Sequence, residues 1–565
     1  MQYFDINHVR LTPGSVYYDR QQNMNAFLLS ISDDQMLYNF RQAAGLPTGD
    51  AAPMTGWDEP TGKLRGHTTG HYLSGLALAY AATGDVRFRE KAGYLVRELG
   101  KCQDAFAAGG KTAPGFLSAY DEEQFDLLEQ LTPYPEIWAP YYTLDKIMSG
   151  LFDCYVLTGN AQALAIEEKI ADWIRNRLSK VPAERRSEMW ATYIAGEYGG
   201  MIATLARLSR ITGKREYLDT AALFYNKKLF DPMERGEDVL AGMHANQHIP
   251  QVIGAMELYD ATGDDRYRRI AENFWSIVTT AHQYVNGGVG EGELFREPHA
   301  ACRYLTDRAE ESCASYNMLR LTGLLFEHRG DAALMDYYEN TLLNHIMASA
   351  SHAADGGTTY FLPLCPGGRK AYSTEENTCC HGTGMESRYR FMEHIYSYDA
   401  EALYVNLLVP SILHAADGEP ALLALDITPD GTVCISAGTD MDKCLRVRMP
   451  AWTGCAGYVE LCDQIRAGEQ YSMELTMALQ TVDCGTADTE AFAALRYGPY
   501  LLAGLSEDPS WIDCPDSQNV RKAQSASAAA GDRNSDLIFD AGSMRMVPVA
   551  NVDTEAYHVY FRHTL

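Results

Sequence analysis

The stretch Val252-Ile-Gly-Ala-Met-Glu-Leu-Tyr-Asp260-Ala-Thr-Gly263-Asp264-Asp-Arg-Tyr-Arg-Arg-Ile270-Ala-Glu-Asn-Phe274-Trp-Ser-Ile-Val278 decides how the larger part of this chain folds. Apolar residues on both sides of Gly263 recur at three- and four-residue intervals, the period of an amphipathic helix. Gly263 sits where a helix end needs a left-handed residue, and the aspartate after it can cap the next helix. The same punctuation returns at Ala81-Ala-Thr-Gly84-Asp85, Leu157-Thr-Gly159-Asn160, Ile211-Thr-Gly213-Lys214 and His328-Arg-Gly330-Asp331. Turns of this kind every 50 to 75 residues, with units such as 202–229 and 252–278 around them, predict stacked helical hairpins. Upstream, residues 1–14 read as extended and 21–45 as helical.

Hairpins of this length form an open solenoid or close into a ring. The links between them favour the ring, because they carry the residues with chemistry. They are Trp57-Asp-Glu59, Arg65-Gly-His67-Thr-Thr-Gly-His71-Tyr72, Tyr134-Pro-Glu136-Ile-Trp138, Gly196-Glu197-Tyr198-Gly-Gly200, Gly242-Met-His244-Ala-Asn246-Gln-His248 and Gly287-Gly-Val-Gly290-Glu-Gly-Glu293-Leu-Phe295. Any one of them is most simply a capped loop with a solvated polar residue. Six of similar composition point to a shared pocket at one end of a toroid.

After about Tyr396 the texture changes to short apolar or alternating runs, among them Ala402–Val405 and its continuation to Val409, Ala421–Ile427, Thr432-Val-Cys-Ile-Ser436, Cys444–Met449 and Tyr471-Ser-Met-Glu-Leu-Thr476. Turns such as Pro429-Asp-Gly431 separate them, which is the pattern of an antiparallel β-sandwich. The expected organisation is therefore mainly α with β: an (α/α)6 toroid or barrel over 1–395, then β-sandwich material over 396–565. Residues 507–536 are poor in large apolar side chains and read as a surface loop.

The formal charge of −28 over 565 residues argues against nucleic acid and anionic lipid as partners. High tyrosine content (35) suits a neutral, sugar-like ligand. There is no basic stretch followed by an apolar run at the N-terminus and no apolar run long enough for a membrane helix. Thirteen cysteines, an odd and scattered number, favour free thiols in a reducing compartment, so a cytoplasmic location is expected.

Two places concentrate metal-ligand chemistry: Glu310-Glu311-Ser-Cys313, and Asn377-Thr-Cys379-Cys380-His381-Gly382-Thr-Gly384-Met-Glu386. Three thiols and a carboxylate suffice for a tetrahedral zinc site. Residues two apart, or adjacent, reach one ion only at a helix start or in an irregular turn, and Gly382 and Gly384 read as supplying a loop for the cysteine pair. Buried, inert cysteines are the plain alternative.

The motifs Arg65-Gly-His-Thr-Thr-Gly-His-Tyr-Leu73, Gly242-Met-His-Ala-Asn246 with Ile249-Pro250, Glu311-Ser-Cys-Ala-Ser-Tyr-Asn-Met-Leu-Arg-Leu-Thr322 and Cys379-Cys-His-Gly-Thr-Gly-Met-Glu386 resemble those of the β-L-arabinofuranosidase glycoside hydrolases of families 127 and 146, the last closer to family 146. The resemblance runs from about residue 10 to the C-terminus. It implies an α/α barrel with β-sandwich material, a zinc held by Glu311, Cys313, Cys379 and Cys380, Cys379 as nucleophile, and Glu293 of Gly292-Glu-Leu-Phe295 as general acid/base, with Glu291 as the fallback. It further implies an oligosaccharide substrate. Trp57, His67, His71, Glu197, Tyr198 and His244 are candidates for holding sugar hydroxyls; His248 reads as structural, and Cys102, Cys302 and Cys365 as packing residues. The β-rich part offers an interface for a homo-oligomer. Two rivals are another α/α-barrel enzyme, a lyase or uronyl hydrolase, and a non-catalytic zinc-stabilised carbohydrate-binding protein. The first would want basic residues in its pocket, and the links here hold little positive charge beyond Arg65.

Overall fold

Gly84, Gly159, Gly213, Gly263 and Gly330 each end a helix with φ between 63° and 72°. A β-carbon is costly in that left-handed conformation, so the chain places glycine there and reverses. In four of the five turns the next polar side chain (Asp85, Asn160, Asp264 and Asp331) caps the following helix through its own oxygen, while Lys214 does not. The repeat read from the sequence is thus a row of helical hairpins. The computed structural model describes residues 1–416, 419–523 and 537–563.

Six helices matter for function: α1 (His67–Thr83), α2 (Pro140–Thr158), α3 (Met201–Thr212), α4 (Ala245–Thr262), α5 (Ser312–Arg329) and α6 (Cys379–Ser387). Each packs on the next, and α6 packs back on α1, closing a cycle. The first five are each followed by a partner helix packed against them: Val86–Gly109, Ala161–Leu178, Arg215–Ala221, Asp265–Ile277 and Ala332–Thr341. Burial follows this arrangement. In α1 every residue from His67 to Ala79 is buried, whereas its partner exposes its charged side. Gly70 and Gly150 let α1 and α2 meet closely, since a β-carbon on either would fall about 2.2–2.4 Å from the other helix's backbone.

The segment 21–45 is not one helix but two, Val16–Ser30 and Asp33–Ala43, because Ile31 is extended (φ −65°, ψ 136°) and Ser32 caps the second. The β-rich part holds two five-stranded sheets and a larger third sheet. Gln2–Tyr3 and Val9–Leu11 are edge strands of the two five-stranded sheets, so the first residues pair with strands near 397 and 412. Among the described strands pairing is antiparallel except between Ala402–Val405 and Cys444–Met449, which run parallel; Asp513 and Arg562 add an isolated parallel bridge. Leu479–Ala487, Glu490–Tyr497 and Tyr500–Leu505 are further strands that the sequence reading did not single out. Buried Arg448 ties sheet to helices: its guanidinium pairs with Asp336 and, at 2.6 Å, with Glu339, whose other oxygen accepts from Trp452 at 2.9 Å.

Of the predicted loop 507–536, residues 524–536 lie outside the described residues. The remainder is mostly exposed or half-buried, with Val520 buried and a short strand at Arg521–Lys522. No helix among the described residues is long and apolar enough to cross a membrane. All thirteen cysteines are free; Cys102 and Cys302 are buried and Cys365 half-buried.

Candidate active site and metal centre

The start of nearly every inner helix carries a site residue. His67 is the first residue of α1, Trp138 and Ala139 lead into α2, Glu197 precedes α3, His244 caps α4, Glu311 immediately precedes α5, and Cys379 and Cys380 open α6. Several of the links read as loops are therefore first turns of helices, with the positive ends of the helix dipoles turned toward the site.

Glu311, Cys313, Cys379 and Cys380 present ligand atoms that all lie within 4.8 Å of one another, and all four residues are buried. Cys313 Sγ is 3.4 Å from Cys379 Sγ and 3.5 Å from Glu311 Oε1; Cys379 Sγ is 4.0 Å from Cys380 Sγ and 3.9 Å from Glu311 Oε1. Zinc with thiolates at about 2.3 Å has a tetrahedral edge of about 3.8 Å, so these spacings fit that ion. Glu311 Oε2 is buried with no protein partner, and no lysine or arginine among the described residues pairs with this carboxylate. Burial raises Glu311 to about 8 and Cys313 well above an ordinary thiol. For Cys380 burial works in the same direction, but hydrogen bonds from Cys313 and Cys379 outweigh it and favour the thiolate. Acidic groups packed this tightly hold protons unless a cation replaces them.

The cysteine pair does not sit in a loop. Cys379 and Cys380 are the first turn of α6, behind a Thr378 cap, where the Thr378 amide and hydroxyl meet His381 Nδ1 at 3.2 and 2.7 Å. Gly382 and Gly384 lie inside that helix and serve close approach instead of a turn: a β-carbon would fall 2.2 Å from the His71 ring at the first and 2.6 Å from Thr358 Oγ1 at the second.

Glu293 stands in left-handed backbone (φ 74°) at the tip of a narrow loop, where the Ala245 amide donates to its carbonyl at 2.8 Å. Its carboxylate accepts a hydrogen bond from the Tyr360 hydroxyl and lies 3.3 Å from His244 Nε2. Burial raises the Glu293 pKa, but His244 and Tyr360 outweigh it and hold it below the usual value. Tyr360 also reaches the sulfur cluster, its carbonyl 3.5 Å from Cys380 Sγ. Glu197 is pushed up to about 7 by burial first, opposed by His244 and assisted by Glu293, and its Oε1 has no protein partner. These carboxylates push His244 up to about 10 against its burial. Its Nδ1 accepts the Gln247 amide at 3.2 Å, which opposes a second proton and directs the first to Nε2, facing Glu293. Glu291, by contrast, is engaged by Arg296 and, at 3.0 Å, by Thr306.

His67 and His71 lie one turn apart on α1. His67 Nδ1 is 3.0 Å from both the Leu64 carbonyl and Asp58 Oδ2. Asp58 also accepts from the Gly66 amide at 2.5 Å and the Thr68 hydroxyl at 2.7 Å. His71 Nδ1 is 2.6 Å from Glu386 Oε1; burial holds the ring below an ordinary histidine in spite of that carboxylate. Tyr198 is fully buried, its ring edge-on to Trp190 at 5.2 Å and its hydroxyl without a protein partner. His248 Nδ1 donates to the His244 carbonyl, 2.7 Å away. Trp57 packs on Trp138, His67 and Tyr360 at 4.9, 6.3 and 5.9 Å between ring centres. A separate cavity of about 300 Å³ lies toward the other ends of the same helices, lined by residues such as Arg210, Glu257 and Asp260 that pair with one another; none of the cluster residues borders it.

Sequence reasoning assigned no role to Tyr360, Glu386 or Asp58. The second and third stood inside quoted motifs, Glu386 at the end of the double-cysteine stretch and Asp58 beside Trp57. Tyr360 had no local signal, since Thr358-Thr-Tyr-Phe361 matches none of the motifs quoted above.

A family model described as the β-L-arabinofuranosidase, GH127 catalytic domain, matches residues 8–393. No curated protein sequence matches the chain. A solved GH127 β-arabinofuranosidase is similar with a TM-score of 0.75 at 16% identity, over 100% of this chain and 98% of its own. A GH127 β-L-arabinofuranosidase from Geobacillus stearothermophilus T6 gives 0.69 at 17% identity, over 98% and 100%. A third structure, a glycoside hydrolase, gives 0.66 at 15%, over 100% and 98%. At these identities the likeness is one of fold, and it spans the helical and β-rich parts alike.

Proposed function

The chain belongs to the GH127 β-L-arabinofuranosidase family, and from that premise we propose that it releases β-L-arabinofuranose from plant-derived or glycoprotein oligosaccharides with retention of configuration, using Cys379 as nucleophile and Glu293 as acid/base. That it is a glycoside hydrolase follows from the family; the sugar, the stereochemistry and the residue roles are the proposal. The cycle of six helices supports an (α/α)6 toroid, with 396–565 as the sandwich part. The double-cysteine motif supports a place toward the family 146 side of the relationship.

Glu311, Cys313, Cys379 and Cys380 would hold a zinc ion, which when bound keeps the sulfurs as thiolates at neutral pH. Cys379 then attacks the anomeric carbon without needing a base: the carbon–sulfur bond forms as the glycosidic carbon–oxygen bond breaks, and Glu293 gives its proton to the departing oxygen. In the second half Glu293 takes a proton from water, whose oxygen attacks the same carbon and releases the sulfur. This is the double displacement of a retaining glycosidase with a thiolate in place of one carboxylate.

The observation that carries the assignment is Tyr360, which joins Glu293 through its hydroxyl and the sulfur cluster through its carbonyl. Glu293 rather than Glu291 fits, because Glu291 is occupied by Arg296 and Thr306. The proton for the first step belongs to a set of three groups, Glu197, His244 and Glu293, in which Glu197 retains one near neutrality. The test is turnover of an aryl β-L-arabinofuranoside by the wild type and by Cys379→Ser, with zinc quantified in both. Activity lost in the variant while metal remains supports the nucleophile. Zinc present with this substrate untouched by the wild type would overturn the sugar specificity.

A further inference from the structure

An exposed aromatic side chain standing alone is ordinary, but one that opens a series of rings leading to this site is not. Tyr134 is 41% exposed, on the link before α2. From Tyr134 the rings form a continuous series inward. Its ring centre is 5.5 Å from that of Trp138, Trp138 is 4.9 Å from Trp57, and Trp57 is 5.9 Å from Tyr360, whose hydroxyl bonds to Glu293. Exposure falls along the same path: Tyr134 is open, Trp138, Trp57 and Tyr360 are half-buried, and Cys379 beyond them is buried.

We propose that Tyr134, Trp138 and Trp57 form a subsite for the leaving group, binding an uncharged sugar ring attached to the released arabinofuranose. This rests on the function proposed above, because it takes the bond being broken to lie between Cys379 and the proton donor Glu293. The series of rings ends on Glu293, which must face the departing oxygen, so whatever that oxygen belongs to extends outward over Trp57 and Trp138. The ligand class follows from the walls. Aromatic rings meet the C–H face of a sugar well, and none of the residues in the series carries a positive charge. Glu136, exposed between Tyr134 and Trp138, disfavours an acidic sugar there.

The experiment compares two substrates of one enzyme: methyl β-L-arabinofuranoside, whose leaving group is too small to reach the rings, and a disaccharide of β-L-arabinofuranose on a second neutral pentose. Tyr134→Ala, at an exposed position that does not threaten folding, and Trp138→Ala are expected to lower kcat/KM about tenfold more on the disaccharide than on the methyl glycoside, mostly through KM. An equal loss on both substrates, or none, overturns the subsite. If the wild type cleaves neither glycoside, the proposed function fails, and the subsite is then judged by tryptophan fluorescence on titration with the same disaccharide. A response weakened in Tyr134→Ala upholds it, and an unresponsive wild type or an unaltered variant overturns it.

Discussion

His71 Nδ1 and Glu386 Oε1 are 2.6 Å apart, both buried, with the far nitrogen of the imidazole left without a protein partner. Glu386 also accepts from the Tyr316 hydroxyl, and Arg390 stands 3.8 Å away, so despite the opposing effect of burial its pKa lies well below the ordinary carboxylate range. The carboxylate therefore places the single imidazole proton on Nδ1 and leaves Nε2 as an acceptor. Glu386→Gln keeps the size of the side chain but removes the charge. Thermal unfolding should show a loss of about 3 kcal/mol, the order expected for breaking a buried pair. Turnover should fall roughly 100-fold through misplacement of His71, with bound zinc unchanged. Unchanged kcat and KM would show that His71 takes no part in binding.

Metal removal is the second prediction. With four acidic groups converging, the folded protein should melt at a lower temperature after chelation, having lost about 4 kcal/mol of stability if the ion had been present at a thousandfold excess over its dissociation constant. Calorimetry with and without chelator measures this. Cys380→Ser should reproduce the shift without chelator, as a variant that has already lost a ligand.

A third prediction concerns Gly382. Alanine would gain about 1 kcal/mol of helix propensity, yet its β-carbon would meet the His71 ring at 2.2 Å. Overpacking costs typically 1–3 kcal/mol, so Gly382→Ala should be destabilising on balance and should lose activity by displacing His71. Denaturant titration of this variant beside an alanine at half-buried Gly93 of Val86–Gly109, where only the flexible Arg97 side chain comes within 4 Å, separates the clash from the backbone effect.

Fourth, Glu197 has its folded pKa raised from 4.5 to about 7, mainly by burial. The folded state then binds more protons than the unfolded state between these values, so its contribution to stability is complete below about 4.5 and is lost as pH rises through about 7. Glu197→Gln, which stays neutral, should flatten the melting temperature against pH across that window. An identical slope in both proteins would remove Glu197 from the proton set.

The hairpin architecture was legible because it rests on local chemistry: Gly263 and its four counterparts terminate helices through backbone conformation alone. Glu311, Cys313, Cys379 and Cys380 were legible as groups that could meet, since the spacing of Glu311 and Cys313 allows convergence at a helix start or in an irregular turn, and the first is where they stand. The placement of Cys379 and Cys380 was misread, because Gly382 and Gly384 look like loop residues until the ring of His71 and the hydroxyl of Thr358 are seen to press on them. The single helix expected over 21–45 failed for a smaller reason, one extended residue at Ile31 followed by a capping serine. Tyr360 could not be read at all. Its importance comes from the partners of its two ends, Glu293 and Cys380, which lie 67 residues before it and 20 after it.

The most direct test of the account is a covalent one. Glu293→Gln should form the first bond with an aryl β-L-arabinofuranoside, whose good leaving group needs no acid, and then stall for want of a base. Intact-mass and peptide mapping should find a single pentosyl group on the sulfur of Cys379, and nuclear magnetic resonance of the wild-type reaction should show the product first appearing as the β anomer. A product released as the α anomer, with no pentosyl group on Cys379 in either protein, would contradict the account.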